Sequence, residues 1–207
     1  MRFLLISFLS IATLSSCALK TTEGLRIAPL TTTAIVNPYF ANEATDYVYK
    51  AKIEVYGRYF GGILIVKKLS KNIHRVVFTT EFGSKVFDFL YEGDTFTLNF
   101  IVEDLNKKIL VNTLRQDFKL LISENSKVSE QFVSDSHSVY KSEGGKRDAY
   151  YFFNSVENRL ERIINASKRK EKFEIVFYSE AKEIAQQITI QHHNIKLFID
   201  LDYIKND

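Results

Sequence analysis

A chain of 207 residues, 45% of them hydrophobic and 26% charged, carries enough apolar material for one packed domain, and its formal net charge of +3 creates no demand for a nucleic-acid partner. Seventeen Phe, eleven Tyr, no Trp and only two Pro favour extended, aromatic-rich structure. A single cysteine, Cys17, excludes an intramolecular disulfide, so the core alone must hold the fold.

The chain opens with Met1 and Arg2, runs apolar from Phe3 to Leu14, and reaches Ser15 and Ser16 before Cys17. A positive start, an apolar stretch and small residues make residues 1–16 a secretory signal peptide. The run falls short of the roughly 20 apolar residues a spanning helix needs, so it reads as a removable address. Leu14-Ser15-Ser16-Cys17 resembles the lipobox of bacterial lipoproteins. That resemblance implies cleavage before Cys17 and lipid attachment there, as covalent diacylglycerol and palmitate, with no other cofactor. The alternative is an ordinary signal followed by an incidental cysteine. Ala18 and the absence of an acidic run in residues 18–23 imply, by the same resemblance, a lipid-anchored protein of the outer membrane facing the periplasm. Two or more acyl chains make such an anchor stable.

Residues 17–46 contain Thr31-Thr32-Thr33, Pro29 and Pro38 and read as a lipidated tether with little regular structure, with Tyr39 and Phe40 available to dock on the domain. The domain itself is assigned to residues 47–204. Tyr47, Tyr49, Ala51, Ile53 and Val55 alternate with Lys50, Lys52 and Glu54, the period of a strand with one wet face. Further strands are predicted over 59–68, 73–81, 86–91 and 95–102, separated by short turns and therefore antiparallel.

The period then changes. In residues 104–122, Leu110, Leu114, Phe118 and Leu121 fall on one side of a helix and Lys108, Asn112, Gln116 and Lys119 on the other, with Asp104 as the expected N-cap. The serine-rich stretch 123–142 reads mostly as loop. Strands resume over 147–154, 159–166, 171–178, 184–191 and 195–203, the last alternating through Ile195, Leu197, Ile199, Leu201 and Tyr203. About ten antiparallel strands in one domain must curl or split. The class is mainly β: a curled antiparallel sheet, an unclosed half-barrel, covered by a helix that keeps its apolar hollow from water.

The blocks FGGILIVKK (60–68), HRVVFTTEFGSKVFDFLY (74–91) and LNKKILVNTLRQDFKLLI (105–122) resemble the bacterial Lol lipoproteins, the periplasmic lipoprotein carrier and the outer-membrane receptor. The resemblance covers residues 47 to about 204 in order and pattern. It implies an unclosed half-barrel whose apolar hollow receives acyl chains. One strong helix is matched here, and no cavity arginine is assigned. Phe82, in the turn Glu81-Phe82-Gly83-Ser84, is either the counterpart of the receptor's protruding apolar residue or an ordinary packed side chain, and packing is the expectation.

The expected ligand lining is Phe87, Phe89, Phe96, Leu98 and Phe100 from strands and Leu110, Leu114, Phe118 and Leu121 from the helix. The same residues serve equally as a filled core. His74, His137, His192 and His193 have no metal-ligand spacing, and His192 and His193 point to opposite faces of a strand, so no metal site is expected. There is no Gly-x-Ser-x-Gly elbow. Gly144-Gly145-Lys146-Arg147 offers a phosphate cradle without Walker spacing and reads better as a hairpin with basic flanks. Residues 167–172, SKRKEK, read as a solvated turn, with contact to anionic lipid as the minor alternative. The expected function is therefore non-enzymatic: a membrane-anchored lipoprotein binding lipid or lipoprotein acyl chains, in lipid or lipoprotein transport or localisation. The alternative is a filled-core scaffold lipoprotein that binds another cell-envelope protein.

Overall fold

Tyr47, Tyr49, Ala51, Ile53 and Val55 are all buried, as their alternation requires, and they face inward from strand β3, Asp46–Val55. Val55 pairs with Arg58 across the two-residue turn Tyr56-Gly57. Both turn residues have positive φ, 49° and 79°, the backbone that matches strand twist in a tight hairpin. The computed structural model describes residues 20–167, 170–180 and 183–205. The segment expected to be a signal peptide, Cys17, Lys168 and Arg169 lie outside the described residues.

From β3 the chain steps outward through β4 (Arg58–Ser70), β5 (Ile73–Thr79), β6 (Lys85–Glu92) and β7 (Thr95–Ile101), each antiparallel to the last. Gly62 on β4 sits so close to the next strand that a Cβ there would lie 1.9 Å from the Thr79 carbonyl oxygen. Helix α1, Lys108–Leu121, then carries the chain across to the opposite wing. That wing is β9 (Glu130–Val133), β10 (His137–Ser142), β11 (Asp148–Asn154), β12 (Leu160–Ala166), β13 (Glu171–Tyr178), β14 (Gln187–His192) and β15 (Leu197–Tyr203). β15 closes the circuit by pairing with β3, Leu197 opposite Val55 and Tyr203 opposite Tyr49. The result is a 13-stranded antiparallel sheet that runs from β1 (Arg26–Ala28), paired with β9, to β7.

The helix reveals the curvature. Phe118 packs on Phe87 and Phe89 of β6, and Asp117 bonds His192 of β14. Those strands are five spacings apart in the sheet, roughly 24 Å if it were flat, whereas a helix with its side chains is about 10–12 Å across. The sheet therefore wraps α1, as an unclosed half-barrel with β7 and β1 as its edges. One continuous core fills the space between helix and inner wall.

Three expectations are corrected. The segment expected to be a stalk belongs to the domain from Lys20 onward. β1 extends the sheet edge, β2 (Ala34–Val36) pairs with β8 (Asn125–Lys127), and Tyr39 and Phe40 are fully buried. Tyr39 stacks on Phe177 and donates its hydroxyl to the Leu160 carbonyl at 3.0 Å, while Asn37 donates its amide to the Leu121 carbonyl, satisfying an end of α1 that has no partner within the helix. Second, residues 123–142 hold three strands rather than a loop, because backbone pairing and the burial of Phe132 and Val139 outweigh the weak strand preference of serine. Third, Asp104 does not cap α1. It lies in a 3-10 turn, Glu103–Leu105, and ion-pairs with Arg58 at 2.6 Å, and Lys107 takes the cap position without a side-chain bond.

Candidate functional site

The inner wall around α1 is aromatic. Phe87 and Phe89 are stacked at 4.4 Å, with Phe118 5.6 Å and 6.3 Å from them. Of the expected lining, Phe87, Phe89, Leu110, Leu114, Phe118 and Leu121 meet in this core, and Phe96 packs at its margin. Leu98 and Phe100 do not; they are 38% and 42% exposed. A register shift between Asp88 and Phe89 sets Leu98 opposite Phe89 but Phe100 opposite Asp88, breaking the alternation that had placed Phe96, Leu98 and Phe100 on one face.

Room for a ligand lies beside the helix rather than beneath it. A cleft of about 670 Å³ opens between the outer flank of α1 and the wall of β10 to β13. Its floor is Ala149, Tyr151, Asn165 and Phe173, and Tyr91, Phe96 and Leu120 line it further. Arg115 and Lys119 from α1 and Lys146 and Arg147 from the β10–β11 turn stand at its rim with Asp94 and Glu143.

The floor carries polar groups as well. Asn165 pairs in register with Phe173, and Phe173 with His192, so the three form one cross-strand row. His192 stacks on Phe173 at 4.9 Å, and its Nε2 shares a hydrogen bond with Asp117 Oδ2 at 2.9 Å. Asp117 is 0% exposed, and burial pushes its carboxyl above the usual carboxylate range against the pull of His192 and Arg147. Neither Asp117 Oδ1 nor Asn165 Oδ1 finds a donor among the described residues.

The cations differ in how they are held. Lys119 bonds the Gly93 carbonyl and pairs with Asp94 at 3.6 Å. Arg115 lies over the Phe96 ring at 5.1 Å, and Arg147 donates to Gln116 Oε1 at 2.8 Å. Arg115, Lys146 and Arg147 form no ion pair among the described residues.

Sequence reasoning missed most of this cleft. Asn112, Gln116 and Lys119 oppose the apolar stripe, the side that helical spacing leaves to water, yet they line it. Tyr151, Asn165 and Phe173 lie on strands that the sequence places, but a strand pattern does not say which strands face a gap.

No family model matches the sequence, and no curated protein matches it. Solved structures do. A LolA superfamily protein from Nitrosomonas europaea aligns with a TM-score of 0.50 at 9% identity, over 80% of this chain and 87% of that one. The fold is Lol-like. A putative outer membrane lipoprotein-sorting protein domain from Vibrio parahaemolyticus aligns at 0.43 and 6% identity, over 77% of this chain and 83% of that one. A DUF1329 family protein from Desulfovibrio piger aligns at 0.41 and 9% identity, over 77% and 84%.

In this Lol-like half-barrel, Phe82 sits at the tip of the β5–β6 turn and is 96% exposed. The expectation that it packs is overturned. The turn bonds to itself, Gly83 N–H to the Thr80 carbonyl and Thr80 N–H to the Ser84 carbonyl, which leaves the ring projecting. The Gly144-Gly145 hairpin is present, with Gly145 at φ 73°, and it carries Lys146 and Arg147 to the rim of the cleft.

Proposed function

We propose that this chain is a membrane-tethered, non-enzymatic protein of the bacterial cell envelope that holds a hydrophobic ligand, a lipid or the acyl chains of a lipoprotein, between α1 and the half-barrel wall. The observation that carries this reading is the cleft beside α1, whose aromatic floor runs into the core beneath the helix. The likeness to a LolA superfamily protein supports it. In this reading residues 1–16 are removed, Cys17 carries the lipid, and the domain faces the periplasm from the outer membrane. A chain entering the cleft displaces α1 and takes over contacts made by Leu114 and Phe118. Burying sixteen carbons contributes ~10 kcal/mol before the cost of moving the helix.

The scaffold reading, in which the surface binds another envelope protein, is favoured by one fact: Phe87, Phe89, Leu114 and Phe118 are 0% exposed, so the space under the helix is packed. Mass spectrometry of lipids carried by the full chain, purified from bacterial membranes, separates the two. Stoichiometric lipid supports the first reading; its absence, with a crosslinked envelope protein, supports the second. For the anchor, Cys17→Ser is expected to move the protein from the membrane to the soluble fraction, and retention on the membrane overturns it.

A further inference from the structure

We infer that the cleft takes an anionic lipid by its phosphate head group, which sits among Arg115, Lys146 and Arg147 while one acyl chain runs along Tyr151 and Phe173. This rests on the proposed hydrophobic-ligand function and narrows it to a ligand class.

Three cations converge on one rim from two elements far apart in sequence, and none has an ion-pair partner among the described residues. Like charges held near one another repel unless an anion lies between them. Asp94 at the same rim is already engaged by Lys119, which leaves Glu143, exposed in the hairpin turn, as the one remaining carboxylate of the rim. The hairpin is sterically set: a Cβ at Gly144 would lie 2.3 Å from the Arg147 carbonyl oxygen, so the turn folds tightly and presents Lys146 and Arg147 together. Arg147 uses one N–H on Gln116 and keeps others of its five donors for a ligand. Arginine binds phosphate through two parallel bonds and lysine as a point charge, so the set suits a phosphate better than a neutral ester.

The floor adds a second requirement, because Tyr151 and Phe173 offer an apolar surface beside the cations. A phospholipid has phosphate and chain in one molecule; the acyl chains of a lipoprotein have no phosphate. A volume of about 670 Å³ suits one such molecule.

The test is native mass spectrometry of the detergent-solubilised full chain with lysophosphatidylglycerol, with monoacylglycerol of the same chain length, and with inorganic phosphate. Lysophosphatidylglycerol is expected to bind at least tenfold more tightly than monoacylglycerol, and phosphate alone only weakly. The double variant Arg115→Gln, Lys146→Gln, at exposed positions the core does not use, is expected to abolish that tenfold advantage while the chain keeps its urea unfolding midpoint. Equal affinity for the two lipids, or an advantage that survives the double variant, overturns the head-group inference and leaves the hydrophobic-ligand function standing. Phosphate binding as tightly as the phospholipid reduces the cleft to an anion site and also overturns it. Binding of neither lipid overturns the underlying function itself.

Discussion

In the wing from β3 to β7, buried apolar residues cover the face toward α1, while the other face sets Val48, Ile65 and Val77 in one row with Asp88 and carries Lys50 and Arg75 beside them; in the wing from β9 to β12, both faces are apolar. On the outer face of the first wing, Asp88 of β6 is held by Arg75 at 2.7 Å, Lys85 at 2.9 Å and Asn99. The Arg75 guanidinium keeps the Asp88 carboxyl well below the usual carboxylate range. On the outer face of the second wing, Phe132, Val139, Tyr150, Phe152, Ile164 and Ala166 form a separate apolar cluster, and Leu25 packs on it. Thr21 Oγ1 donates to Glu171 at 2.7 Å and β1 pairs with β9, so the leading segment is fastened over that cluster. An outer face that mixes ion pairs with apolar side chains can meet water; a wholly apolar one needs a cover. The second wing therefore recruits the N-terminal segment into the fold, while the first ends in an open edge at β7 with Leu98 and Phe100 partly exposed.

The comparison can be broken first at its shared centre. Phe118→Ala, deleting the ring that packs on Phe87 and Phe89, is expected to cost about 4 kcal/mol in urea unfolding and to loosen the first wing most. Phe152→Ala strikes the outer cluster of the second wing, where the ring lies under the Arg162 guanidinium at 4.3 Å, and is expected to cost about 3 kcal/mol. Leu25→Ala is expected to cost about 1 kcal/mol and to speed amide exchange in β1 and β9 while leaving β3 to β7 unchanged. Uniform acceleration across both wings is the result that refutes the division between them.

A pH titration sharpens the same contrast. Burial pushes the His74 imidazole on β5 below its ordinary value, reinforced by Lys68 and Lys119 and opposed by its hydrogen bond to the Phe40 carbonyl and by Glu124. A group whose folded pKa is depressed contributes stability that is present above its unfolded value, about 6.5, and lost as pH falls through the folded one. Asp117 has the opposite sign: its raised folded value gives stability present below about pH 3.9 and lost as pH rises through the folded value. The His74 contribution is thus expected to fall as pH drops below 6.5, so that His74→Gln loses less stability than the unaltered chain over that range in urea midpoints measured at each pH. The smallest effect belongs to the open edge, where Leu98→Ala is expected to change stability by no more than about 0.5 kcal/mol.

Alternation and helical spacing made the first wing readable. The buried positions Tyr47 through Val55 follow from period two, and Leu110, Leu114, Phe118 and Leu121 follow from period 3.6. The second wing was less legible because β11 reads as a continuous apolar run, Ala149 to Phe153, which assigns no face, and because β8 to β10 are short and serine-rich. Of the nine residues expected to line a ligand site, Phe96 alone lines the cleft. The helix stripe and Phe87 with Phe89 are core, and the cleft uses the flank of α1 that spacing had given to water.

Local pattern, then, determined that this chain makes antiparallel strands and one amphipathic helix, since burial on one face leaves a periodic trace in neighbouring residues. Tertiary structure alone decided that β15 closes against β3, that the segment from Lys20 covers an outer face, and that Arg115 meets Lys146 and Arg147 beside Asn165. Those encounters join residues far apart in the chain, and no repeat along a strand or helix records which distant surface a side chain will meet once the sheet has curled.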